Sequence, residues 1–193
     1  VSVILGRGGN LGNGRRRKLM LSAALSRFYV QAVVLGLGCL FVLLRYSSTL
    51  PTVMQDEYVY LVQAALEPRS ANEFGNFLYS AVYSNVLFYD ANFYLAVKAL
   101  NTLFLFAFAM AVLVVARKHL PSWAAAASGI ATVLSATSLN ASVFMPEMMF
   151  FALAAWAVTL FAMGWEANGA SRYLFFASIL MLVLAGLTKP HAI

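Results

Sequence analysis

The chain has 193 residues, of which 62% are hydrophobic and only 10% charged. Soluble domains carry roughly 25% charged residues, so this composition excludes a chain that hides its apolar surface by folding alone in water, and it reads as an integral membrane protein. A net charge of +6 would suit a nucleic-acid partner, but the basic residues cluster at the ends of apolar segments, where they read as topology signals and not as a nucleic-acid surface.

Residues 1–20 are rich in Gly and Arg, as in Gly6-Arg7-Gly8-Gly9 and Gly14-Arg15-Arg16-Arg17-Lys18. Such a stretch buries too little surface to fold, so residues 1–27 are expected to form a basic, disordered cytoplasmic tail. Binding to anionic lipid head groups is the functional alternative. The glycines are not a phosphate loop, because no strand precedes them and no Gly-Lys-Ser/Thr follows. No small-residue cleavage site follows the first apolar run, which argues for an uncleaved span over a signal peptide.

Residues 28–193 read as one transmembrane module. The first span covers 28–44, bracketed by Arg27 and Arg45, and contains the single cysteine, Cys39. One cysteine excludes an intrachain disulfide framework. A long polar connection, 46–98, then carries Asp56, Glu57, Glu67, Glu73 and Asp90. Within it Tyr58, Leu61, Val62 and Ala65 recur at helical spacing, as do Phe74, Phe77, Leu78, Ala81 and Val82. The spacing predicts two short amphipathic helices on the membrane surface, near 57–67 and 73–87. Pro68 and Ser70-Ala71-Asn72 separate them. Further spans are expected at 100–116, 123–139, 147–165 and 173–187. The fold class is therefore an all-α integral membrane protein with about five transmembrane helices.

With five spans, the tail and the 117–118 and 166–172 loops share one side. That side holds Arg7, Arg15, Arg16, Arg17, Lys18, Arg27, Arg117, Lys118 and Arg172, nine basic residues against one acid, Glu166. The other side holds Arg45, Arg69, Lys98 and Lys189, four basic residues against six acids. The asymmetry predicts a cytoplasmic N-terminus and an outer loop bearing Asp56 and Glu57.

Asp56 and Glu57 are the leading candidates for chemistry. Adjacent like charges raise one another's proton affinity, and partial burial adds to that. A carboxylate so tuned can act as general base toward a hydroxyl, or hold a divalent cation. The simpler alternative is a helix N-terminus, where acids suit the dipole. Glu147 follows Pro146 at the start of a span and has the same alternative. Lys189 can hold a phosphate as a point charge, or simply complement a helix C-terminus ended by Pro190. His191 reads as incidental, and His119 falls on the opposite side. Asn140-Ala141-Ser142 fits the glycosylation acceptor pattern, a match that also arises by chance.

Taken in order, the chain shows a span, an outer loop opening with Gln55-Asp56-Glu57-Tyr58, surface helices, and Lys98-Ala99-Leu100-Asn101 entering a second span. Met145-Pro146-Glu147 enters a later span, and Leu187-Thr188-Lys189-Pro190 leaves one. Residues 28–193 thereby resemble the N-terminal module of GT-C glycosyltransferases, which include protein O-mannosyltransferases and aminoarabinose transferases. The resemblance implies polyprenyl-phosphate sugar donors and an active-site acid at Asp56, with Glu57 beside it. The His-Pro-Pro element of the mannosyltransferase branch is absent; Leu78-Tyr79-Ser80-Ala81 stands in its place. Family members continue through further spans, so the chain is expected to be an N-terminal part.

The reading is transfer of a sugar from a polyprenyl-phosphate donor to a lipid or glycan acceptor at the outer membrane face. Asp56 would be the base and Glu57 its support or a cation ligand. Lys189 and Glu147 would lie on the substrate side. The alternative is a transporter or a non-catalytic membrane subunit.

Overall fold

The computed structural model describes residues 10–47, 55–66, 76–85, 93–166 and 171–189. Every regular element among them is a helix: α1 (Asn10–Ser47), α2 (Gln55–Leu66), α3 (Phe77–Ser84), α4 (Phe93–His119), α5 (Ser122–Leu134), a 3-10 helix (Ala136–Ser142), α6 (Glu147–Glu166) and α7 (Arg172–Thr188). Among the described residues three helices are long and apolar enough to cross a membrane: Leu25–Ser47 within α1, then α4 and α6. Pro68, the Ser70–Asn72 stretch and His191 lie outside the described residues.

The chain divides into two units, Val1–Val34 and Leu35–Ile193. In the first, α1 already begins at Asn10, so the basic run 14–18 is helical where an unstructured tail was expected. Extending an established helix gains one hydrogen bond for each residue fixed, and Arg, Lys, Leu and Met all favour it.

The second unit is a bundle. Its part of α1 buries Leu35, Cys39 and Val42, one stripe at helical spacing. Where α1 meets α5, side chains seat on two glycines. A Cβ on Gly129 would stand 3.1 and 3.2 Å from the Leu35 methyls, and one on Gly38 would stand 3.3 Å from Val133. The pairings rise together along both helices, so α1 and α5 run parallel. Small residues at such crossings let helices pack where lipid supplies no hydrophobic drive. Gly129→Leu is expected to overpack this contact and cost about 1–3 kcal/mol, read as a lower thermal midpoint in detergent.

α4 packs against both α5 and α6, and α7 packs along α6. Ser178 Oγ donates to the Ala157 carbonyl at 2.8 Å. Phe161 and Phe175 meet edge to face at 5.4 Å. At one end Lys118 Nζ lies 2.6 Å from Glu166 Oε2, which joins the last turns of α4 and α6. Those two helices therefore run parallel, with α7 antiparallel to both.

The expected third span, 123–139, is interrupted. α5 ends at Leu134, Ser135 is extended, and a 3-10 helix follows. Hydroxyls explain the break: Ser135 Oγ reaches the Thr132 carbonyl at 2.8 Å and Thr137 Oγ1 at 2.8 Å. Such local bonds offer the backbone an alternative to the helical ladder. At roughly 1.5 Å per residue α5 is about 20 Å long and α7 about 26 Å, against roughly 30 Å of hydrocarbon.

Candidate functional site

The expected surface helices are present. α2 starts at Gln55, so Asp56 and Glu57 occupy its first turn, as the sequence suggested. Their side chains lie outside the described ones. α3 covers Phe77–Ser84, inside the expected 73–87; Phe74 is outside the described residues.

These helices are packed into the bundle and do not merely rest on a surface. Ala64 of α2, Tyr79 and Tyr83 of α3, Val97 of α4, Phe144 and Met149 form one buried cluster. Tyr79 stacks on Tyr83 with centroids 4.2 Å apart, and Phe144 sets its edge against both, at 5.6 and 5.5 Å. Tyr60 of α2 meets Tyr79 edge to face at 5.7 Å. Edge and offset pairs of this kind each add about 0.5–1.5 kcal/mol beyond the buried area. The aromatic spacing explains the choice of helix face: Tyr79 and Tyr83 are one turn apart and point the same way.

A polar layer lies under the rings. Tyr83 donates its hydroxyl hydrogen to Asn101 Oδ1. Asn101 Nδ2 in turn donates to the Val143 carbonyl at 2.7 Å. Burial pushes the Tyr83 hydroxyl well above the usual phenol range, so it keeps the proton it donates. Lys98 is 3% exposed, and its Nζ donates to the Tyr46 carbonyl at 2.8 Å. That bond ties the last turn of α1 to α4, satisfying a carbonyl the helix itself leaves open.

Glu147 and Lys189 are brought together. Lys189 Nζ lies 2.5 Å from Glu147 Oε1, joining the first residue of α6 to the end of α7. Both helix dipoles favour these charges where they stand. Glu147 Oε2 is buried and has no hydrogen-bond partner among the described residues. The ammonium remains partly exposed and has donors to spare. The pair sits at the end of the bundle that also carries Phe144, Tyr83 and α2. His119 is at the far end, in the last turn of α4. Asn140 and Ser142 belong to the 3-10 helix, and Ala141 between them is buried.

Lys98, Asn101 and Tyr83 were not singled out as site residues in the sequence. A signal was present: Val97, Lys98, Asn101, Thr102 and Leu105 share a helical face, all of it buried. A lysine on such a face needs buried partners. As for a metal, no group of three or more His, Cys, Asp or Glu that could hold an ion occurs among the described residues; the Asp56 and Glu57 carboxylates are outside that search. Comparison with known families, curated proteins and solved structures finds no match to this chain.

Proposed function

We propose that the protein is a membrane glycosyltransferase of the GT-C kind, moving a sugar from a polyprenyl-phosphate donor to a lipid or glycan hydroxyl. The observation that carries this reading is the docking of α2, whose first turn bears Asp56 and Glu57, into the bundle end that also holds the Glu147–Lys189 pair. Transfer needs a base and a cation held in fixed relation, because positioning supplies much of the rate. In this reading Asp56 takes the acceptor proton and Glu57 supports it or helps hold a divalent cation. Lys189, oriented by Glu147, receives the departing phosphate. A five-span arrangement is supported by α7, which runs antiparallel along α6 over its whole length.

The transporter alternative is less favoured by where the charges stand. Transporter ion sites lie near the bilayer midplane in broken helices. In α4 to α7 every Asp, Glu, Lys and Arg falls within the first or last two turns. The direct test is release of sugar from a radiolabelled polyprenyl-phosphate donor by membranes containing the protein. No transfer to any lipid or glycan acceptor, with ion-driven uptake in the same vesicles, would favour the alternative.

Orientation is tested separately. Cys39 is 3% exposed and is expected to stay unlabelled, leaving a silent background. Asn85→Cys, at the exposed end of α3, should react with a membrane-impermeant thiol reagent in intact cells. Leu120→Cys, in the exposed turn after α4, should react only once the membrane is opened. The reverse pattern would move the acids to the cytoplasm and remove the proposed site.

A further inference from the structure

We infer that a cleft between α4, α5 and α6 holds an acyl chain of an anionic phospholipid, whose phosphate is received at Lys118 and His119. The cleft has a volume of about 370 Å³. From α4 it is lined by Val112, Val115 and Ala116; from α6 by Ala155, Val158 and Thr159; α5 adds Ser128. Its two hydroxyls are already used: Ser128 Oγ donates to the Ala124 carbonyl at 3.0 Å, and Thr159 Oγ1 to Ala155 at 2.8 Å. The cleft therefore presents hydrocarbon and no free polar group. Two of the helices around it, α4 and α6, are long and apolar enough to cross a membrane, where the surrounding solvent is lipid chain.

The charge at its mouth specifies the lipid. The stripe Val112, Val115, Ala116 continues after one turn into His119, with Lys118 at its edge. Likewise Ala155, Val158 and Thr159 continue along α6 to Glu166. The Lys118–Glu166 pair lies beyond the cleft in that direction, at the last turns of α4 and α6. It is an exposed pair, worth little in water, and a phosphate can take the place of Glu166 at the ammonium. Arg117 and Arg172 add positive charge at this end of the bundle. Basic pockets between helices are the usual receptors for anionic head groups. The cleft lies midway along α6 and toward the Lys118 end of α4, away from Glu147 and Lys189. The inference rests on membrane embedding alone and is independent of sugar transfer.

The test is native mass spectrometry of the protein in detergent with equimolar phosphatidylcholine and phosphatidylglycerol. Phosphatidylglycerol should be retained several-fold over phosphatidylcholine. Ala155→Phe fills the cleft and should release most of the bound lipid; Val112→Phe, which fills it from α4, is the second variant. Lys118→Gln with His119→Gln should keep bound lipid but lose the preference. Equal retention of the two lipids by the unaltered protein would overturn the inference. So would undiminished phosphatidylglycerol binding by both Phe variants, which would put the bound lipid outside the cleft.

Discussion

Asp56→Asn is expected to leave membrane insertion and folding intact while lowering sugar transfer about 10²–10⁴-fold, the usual contribution of a general base. An amide in the first turn of α2 satisfies the same backbone donors as the carboxylate, so the loss would be chemical. Glu57→Gln should cost less if Glu57 only supports, and comparably if both carboxylates hold a cation. Lys189→Ala is harder to read, because it strands Glu147, whose second oxygen has no hydrogen-bond partner among the described residues. Donor binding is better compared in the Glu147→Gln, Lys189→Ala double variant, in which no buried charge is left alone. Initial rates in membranes with matched expression are the measurement. Near-normal transfer by Asp56→Asn would rule out its role as base and return the acids to a helix-end feature.

The second large effect is on stability. Phe144→Ala should cost about 3–5 kcal/mol, as for a fully buried aromatic residue. Phe144 is 0% exposed and touches both Tyr79 and Tyr83, so its removal opens a cavity under α3. The expected result is a lower unfolding midpoint together with faster proteolysis in 46–98. Tyr83→Phe keeps the ring and loses only the bond to Asn101; an acceptor left unpaired in the interior costs about 1–3 kcal/mol. A Phe144→Ala protein as stable as the parent would show that the loop helices are not held by these rings.

Most helix positions could be read from the chain because charges bracket the apolar runs. Arg117-Lys118-His119 ends α4, and Glu147 opens α6, at the expected places. The two surface helices were visible in the spacing of Tyr58, Leu61 and Val62, and of Phe77, Leu78 and Val82. What composition hid is of two kinds. The break at Ser135 depends on hydroxyls competing for backbone carbonyls, a local choice that the apolar average of 123–139 conceals. The burial of Lys98 and the pairing of Glu147 with Lys189 depend on helices 42 residues or more apart in sequence. Each charge alone reads equally well as a helix-end residue. Only the antiparallel setting of α6 and α7 makes them partners.

The ring cluster also sets an order of events during synthesis. Tyr79 and Tyr83 leave the ribosome well before Phe144 and Met149, the residues that cover them. At roughly 5–20 residues per second, the segment from Tyr83 to Phe144 takes on the order of 3–12 s to emerge. During that interval α2 and α3 have no partner surface from α6, and their tyrosines face solvent or the lipid interface. The loop is therefore a late-maturing part of a bundle whose first span inserts early. A protease or chaperone on its side of the membrane has its best access in that window.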